Sequence, residues 1–288
     1  MSQFTLSAFA DEISPDLREQ VRVLKDMGLS YLDLRSVDGV NVRDFTDQQV
    51  VRIREYLRLN AIQVACIGSP VGKSAIDAPL EKALADLDRV IEIARALDTR
   101  RIRMFSFYPP ETSTNAGYDA YVDQALRRLE RLASLAEDKG AILLMENEKE
   151  IVGDTLGRCY RLMRALAGPH FRFLWDPANF VQVGEDRVTE NGWALLGEFV
   201  GYVHIKDALL KDGQVVAAGE GDGQVGTLLQ KLNAAGYRGF LALEPHLERA
   251  GKHGGFSGPE KMTYAVEALR DLMNQLGLKE TRPVKRTG

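Results

Sequence analysis

Cysteine is scarce in this sequence: only Cys66 and Cys159 occur among 288 residues. Neither belongs to a C-x-x-C pair, which excludes a thiolate zinc knuckle and a redox dithiol. So few thiols in so long a chain imply a reducing compartment rather than a disulfide scaffold. Histidine is also sparse, at four, which leaves few imidazoles for a multinuclear zinc centre. Positive charge is not in excess. Lys and Arg total 37 against 41 Asp and Glu, a formal net charge of −4. A non-specific grip on nucleic acid needs clustered cations, and anionic headgroups repel an anionic surface. Neither nucleic acid nor a membrane is therefore an expected partner. No apolar run reaches the roughly 18 residues of a membrane span. The opening Met-Ser-Gln-Phe-Thr-Leu lacks the basic start of a signal peptide, so the expected location is the cytoplasm.

What the chain does have is one repeated pattern. A short apolar run is followed by a polar loop and then by an amphipathic helical stretch. The strands are expected at Phe4–Phe9, Tyr31–Arg35, Ile62–Ile67, Arg101–Phe107, Ala141–Glu146, Phe171–Asp176, Gly201–Lys206 and Gly239–Glu244. Helices are expected near 15–27, 47–59, 79–97, 118–139, 154–167, 191–199, 225–235 and 259–276. Ser14 before Pro15 reads as an N-cap followed by a first-turn proline, and Gly28 as the stop of that first helix. Alternating β and α elements make the strands parallel, because each helix returns the chain to the same end of the sheet. Eight units favour closure into a (β/α)₈ TIM barrel. The rival, an open doubly wound sheet, usually carries a Gly-rich first βα turn, and Phe9-Ala-Asp-Glu-Ile-Ser14 has no glycine. No linker or low-complexity tract interrupts the pattern, so one domain is expected over 1–278, with a frayed polar tail over 279–288.

In a barrel of this kind, chemistry sits where strands end and βα loops begin. The last four strands finish alike, in Ile142-Leu-Leu-Met-Glu146, Phe171-Arg-Phe-Leu-Trp-Asp176, Tyr202-Val-His204-Ile-Lys206 and Leu241-Ala-Leu-Glu244. Burying a lone carboxylate is costly, and three on neighbouring strands repel each other. A divalent cation held by Glu146, Asp176, His204 and Glu244 resolves both problems. One imidazole with three carboxylates suits Mn²⁺, Mg²⁺, Co²⁺ or Zn²⁺ without choosing among them. Lys206 shares the inward face of His204, either to polarise a substrate oxygen or to neutralise the carboxylates. His246 follows at the mouth as a candidate substrate contact. Arg35, at the end of the second strand, and Lys73, in Gly68-Ser-Pro-Val-Gly-Lys73, are weaker candidates for an anionic group; a plain turn competes for the second. Glu148 and Lys149 read as solvated loop charges. Trp175 points outward, to the helices, by alternation. Gly219-Glu-Gly-Asp-Gly223 reads as a tight, mobile loop over the site.

These segments resemble the xylose-isomerase-like TIM-barrel superfamily, specifically its sugar phosphate isomerase/epimerase group. That group includes ketose 3-epimerases and inosose dehydratases, with endonuclease IV more distant. The resemblance runs from Ala8-Phe-Ala-Asp-Glu-Ile-Ser14 to Gly254-Gly-Phe-Ser-Gly-Pro-Glu260. It rests on Leu144-Met-Glu-Asn-Glu-Lys149, Trp175-Asp-Pro-Ala-Asn-Phe180, Val203-His-Ile-Lys-Asp207 and Leu243-Glu-Pro-His246. It implies one metal ligand from each of strands five to eight, in the order Glu146, Asp176, His204, Glu244. It also implies that the two glutamates move the proton. Many relatives carry a substrate-touching histidine where this chain has Asn179, so the substrate is not transferred with the resemblance. An amide can bond a hydroxyl but carries no proton.

The expected activity is a metal-dependent isomerase or epimerase on a sugar, sugar phosphate or related polyol ketone, working through an enediolate. The alternative is a dehydratase of inosose or dehydroshikimate type. A remote third reading is an endonuclease IV-like repair enzyme, opposed by the charge and by the shortage of histidines. The expected partner is a small carbohydrate, and the sequence leaves self-association open.

Overall fold

The computed structural model describes residues 3–110, 113–251 and 254–281. Eight parallel strands form the barrel. They are β1 (Gln3–Phe9), β2 (Tyr31–Leu34), β3 (Gln63–Ile67), β4 (Arg101–Met104), β5 (Ile142–Glu146), β6 (Phe171–Trp175), β7 (Val200–Ile205) and β8 (Phe240–Leu243). Each pairs with its neighbour in sequence, and β8 closes on β1 through Thr5↔Phe240 to Ala8↔Leu243. The fold is a closed (β/α)₈ TIM barrel.

Nine helices longer than a 3₁₀ turn surround it among the described residues. They are α1 (Leu17–Asp26), α2 (Asp47–Leu59), α3 (Leu80–Ala96), α4 (Val122–Asp138), α5 (Leu156–Leu166), α6 (Pro177–Gln182), α7 (Val188–Leu196), α8 (Val225–Ala234) and α9 (Gly258–Gln275). None is long and apolar enough to cross a membrane.

Local chemistry sets several boundaries. The first helix starts later than expected: Asp16, not Ser14, is the N-cap, accepting from the Glu19 amide at 2.9 Å. A 3₁₀ turn over Ala10–Glu12 carries the chain past the barrel rim first, and Ser14 bonds the Asp16 amide instead. Gly28, at φ +72°, ends α1 as expected. Helix α2 begins with a capping box between Thr46 and Gln49. The short α6 was not foreseen, although Asp176-Pro177 supplies an N-cap and a first-turn proline. Lys279 and Glu280, placed by the sequence at the start of a polar tail, pair in parallel with Gln3 and Phe4. The rest of that tail, 282–288, lies outside the described residues.

Two apolar groups form the core. The larger lies between barrel and helices and includes Trp175, which packs against Trp193 of α7 and Phe180 of α6, as alternation required. The smaller fills the barrel with Cys66, Leu144, Leu174, Tyr202 and Ala242. Inward positions at i, i+2 and i+4 thus run from the barrel filling up to the functional groups: Ile142, Leu144, Glu146 on β5, and Tyr202 and His204 on β7, with Lys206 just past its end.

Candidate metal centre

The barrel brings Glu146, Asp176, His204 and Glu244 together. One ligand atom from each lies within 4.8 Å of all the others, and all four residues are buried. His204 Nδ1 is 2.8 Å from Glu146 Oε1 and 3.3 Å from Glu244 Oε2. Glu146 Oε2, Asp176 Oδ2 and His204 Nε2 are buried without a hydrogen-bond partner. Lys206 Nζ does lie 2.7 Å from Asp176 Oδ2, but as an ion pair without hydrogen-bond geometry. Unsatisfied buried carboxylate and imidazole atoms converging on one point are costly unless a cation joins them. One imidazole and three carboxylates are a donor set that could hold a divalent ion.

The shell around these groups is strongly charged. Arg35 Nη1 is 2.8 Å from Glu244 Oε1, and its Nε bonds Asp11 at 2.7 Å. Arg103 Nη1 lies 3.3 Å from Glu146 and 3.1 Å from Glu244. Lys206 also approaches Glu244, at 3.5 Å. Burial opposes ionisation of Glu244, but Lys206, His204 and His246 override it and hold this carboxyl well below its ordinary range. Burial dominates at Asp176 despite Lys206, raising it to about 6. Burial would lower His204, but Glu146 and Glu244 lift it to about 10 in the metal-free protein.

His246 reaches the site too. Its backbone sits at φ +49°, and its Nε2 lies 3.1 Å from Glu12 and 3.6 Å from Glu244. The ring packs so closely on Gly255 that a Cβ there would stand 1.9 Å from His246 Cδ2. Glu12, fully buried, also accepts from Ser257 Oγ at 3.0 Å. Asn179 is buried on α6. Its Nδ2 donates to the Asn147 carbonyl at 2.8 Å, and its Oδ1 has no partner. Asn147 in turn bridges the ends of β5 and β6, accepting from the Asp176 amide and donating to the Asp176 carbonyl.

Two loop expectations change. Glu148 is not a solvated charge: it is nearly buried and pairs with Lys73 at 3.1 Å. Burial would raise it, but Lys73 and Lys206 bring it down to about 2. The Gly219–Gly223 loop is anchored rather than free, because the amides of Gly219, Gly221 and Gly223 all donate to Asp207. The Gly68–Lys73 segment is a packed turn whose Gly68, Ser69, Val71 and Lys73 amides are spent internally. Gly72, at φ +85°, lies where a Cβ would be 1.9 Å from the Phe105 carbonyl oxygen. Lys73 itself stands at the rim, 4.3 Å from the Phe105 ring centroid.

Arg103, Glu12, Asp11 and Asn147 were not singled out from the sequence. Arg103 had half a signal: with Arg101 it alternates through an apolar strand, which puts both on one face without saying which. Of the remaining histidines, His170 bonds the Ala141 carbonyl at the opposite end of the barrel, and His253 lies outside the described residues.

The xylose isomerase-like TIM barrel family matches residues 21–272, and the chain belongs to that family. No curated protein matches the sequence. Among solved structures, it is similar to the IOLI protein with a bound zinc atom, at 16% identity over 94% of this chain and 99% of that one, TM-score 0.75. It is similar to the D-psicose 3-epimerase of Clostridium cellulolyticum H10, at 13% identity over 94% and 99%, TM-score 0.71. A third is the 3-keto-D-glucoside 4-epimerase of E. coli, at 16% identity over 95% and 100%, TM-score 0.67. At such identities the likeness is one of fold.

Proposed function

We propose that this chain is a divalent-metal-dependent isomerase or epimerase of a sugar or polyol ketone, with Glu146 and Glu244 as its proton-transferring pair. The observation that carries the reading is the convergence of Glu146, Asp176, His204 and Glu244, with buried ligand atoms left unsatisfied. These four would hold the ion. When bound, it would polarise the substrate carbonyl and make the neighbouring C–H acidic. The similarity to a zinc-containing protein and to sugar epimerases supports the assignment.

The residues divide the remaining work. Glu146 ends β5 and Glu244 follows β8, with β6 and β7 between them, so they flank a substrate from two sides. One removes the proton and the other returns it to the opposite face. Lys206 offers an ammonium to a substrate oxygen beside Asp176 and Glu244. Asn179 gives one of its two amide hydrogens to Asn147, and its unpartnered Oδ1 offers a substrate hydroxyl an acceptor. Against the cost of burial, His204 and Arg103 keep Glu146 ionised, and Lys206, His204 and His246 do the same for Glu244.

The test has two stages. After EDTA treatment and reconstitution, metal analysis should show a stoichiometric ion in wild type and Asn179→Ala. His204→Ala and Asp176→Ala should lose it; equal uptake by these two would overturn the site. Turnover of a ketose panel in D₂O should then place deuterium at the inverted carbon. Glu146→Gln and Glu244→Gln should each lose ~10²–10⁴-fold in epimerisation. A product lighter by one water would instead identify a dehydratase.

A further inference from the structure

One side chain ties the end of β6 to the end of β5. Asn147 directly follows Glu146, the last residue of β5, and Asp176 directly follows Trp175, the last residue of β6. The backbone ladder between the two strands runs as far as Glu146↔Leu174. Past that point the Asn147 carboxamide takes over the pairing. Its Oδ1 accepts from the Asp176 amide at 2.9 Å, and its Nδ2 donates to the Asp176 carbonyl at 2.8 Å. A carboxamide carries both an acceptor and N–H donors, so it can satisfy the two backbone polar groups of one residue at once. The Asn147 carbonyl also accepts from Asn179 Nδ2 at 2.8 Å. The first turn of α6 thus hangs on one residue just past β5. Asn147, Asp176 and Asn179 are all fully buried.

This clamp sets what Asp176 can offer. Its backbone is extended, at φ −113° and ψ 108°, as a following proline requires, and Pro177 follows. Its Oδ1 accepts from the Asn179 amide at 3.1 Å. Its Oδ2 remains, buried without a hydrogen-bond partner, in the cluster with Glu146, His204 and Glu244. The fields around this carboxylate do not hold it in the cluster. Glu146 and Glu244 repel it, and Lys206 lies 2.7 Å from Oδ2 as a competing cation. A carboxylate on a free backbone would follow those fields, whereas one on a clamped backbone stays in place. A ligand placed in advance leaves less ordering to oppose binding.

We propose that Asn147 is a positioning residue for the metal, fixing Asp176 relative to Glu146 before an ion arrives. Because Asn147 is the chain neighbour of Glu146, one residue governs the spacing of two ligands on adjacent strands. The proposal rests on the metal reading above, since Asn147 acts only through Asp176.

Calorimetric titration of EDTA-stripped protein with Mn²⁺ is the test. Asn147→Leu keeps the side chain's approximate size and removes both bonds to Asp176. It should weaken Mn²⁺ binding ~10–100-fold, the usual cost of losing a group that orients a metal ligand. Thr99→Ala is the control for a purely structural loss. Thr99 is buried at the opposite end of the barrel, where its Oγ1 donates to the Ala65 carbonyl at 3.1 Å. That variant should bind Mn²⁺ as tightly as wild type. Equal affinity in wild type and Asn147→Leu, or an equal loss in Thr99→Ala, overturns the role of Asn147 and leaves the metal site standing. A wild type that takes up no Mn²⁺ removes the metal reading and this proposal with it. Should Asn147→Leu not fold, hydrogen exchange of the metal-free wild type decides. The Asp176 amide should be protected as strongly as the amides of β6 before any ion is added. An Asp176 amide that exchanges freely until Mn²⁺ is present would show that the ion orders this ligand, and would overturn the proposal.

Discussion

Replacing Asp33 by Asn should stabilise the protein at neutral pH. Asp33 is 1% exposed and lies inside the barrel below His204. It accepts from Ser7 Oγ at 2.7 Å and from Tyr202 Oη at 2.9 Å. Burial raises its pKa from 3.8 to about 6; His204, the two hydroxyls and Arg103 pull the other way without winning. For a group whose folded value lies above its unfolded one, the contribution to stability is complete below the unfolded pKa. It is lost as pH rises through the folded value. Between pH 4 and pH 6 the native state therefore gives up about 3 kcal/mol at this site. Asparagine keeps an acceptor for the hydroxyls and never ionises. Urea unfolding of metal-free protein should show Asp33→Asn level with wild type near pH 4 and more stable by about 3 kcal/mol at pH 7. Such a gain corresponds to a rise of roughly 6–12 °C in Tm. A variant no more stable than wild type at pH 7, or an advantage constant from pH 4 to pH 7, would refute the reasoning.

The fold was legible because each strand announced itself twice, by its apolar run and by the loop chemistry after it. The cluster of four strand-end residues was legible for a related reason. At the ends of strands β5 to β8 a polar residue follows a buried run, and the pleat sends it inward with the residue two positions before it, Leu144, Leu174, Tyr202 or Ala242. Glu146, Asp176, His204 and Glu244 could therefore be placed at one mouth without coordinates. The charged shell was harder to read. Arg103 stands in mid-strand, where inward and outward positions differ only by register. Glu12 sits in a 3₁₀ turn that no periodicity marks. Glu148 and Lys149 look alike in sequence, yet Glu148 is buried by a partner 75 positions away while Lys149 is partly open to solvent. Pairings across βα loops depend on how neighbouring loops lean together, and composition does not record that. The same holds for the Gly219–Gly223 loop. Its glycines suggested freedom, but they serve to bring three amides onto Asp207, where side chains on Gly221 and Gly223 would clash.

Asp207→Asn should loosen that loop, because an asparagine turns one amide hydrogen toward the converging backbone amides. Hydrogen exchange at Gly219, Gly221 and Gly223 should accelerate, with a stability cost of about 1–3 kcal/mol; unchanged protection at all three would show that Asp207 does not anchor the loop. Arg103→Met tests whether the cations hold the metal-free site together. Arg103 is buried, with Nη1 within 3.3 Å of both Glu146 and Glu244, so its removal leaves two buried carboxylates short of counter-charge. Breaking such a pair costs about 3–5 kcal/mol. A divalent ion on the same carboxylates would supply the missing charge, so the loss should be large in EDTA and much smaller in Mn²⁺. Thermal melts of wild type and variant in both conditions measure the difference directly. An equal loss in the two would mean that Arg103 serves packing against Phe9 and Phe105, each about 4.9 Å from its guanidinium, and not the charge of the site.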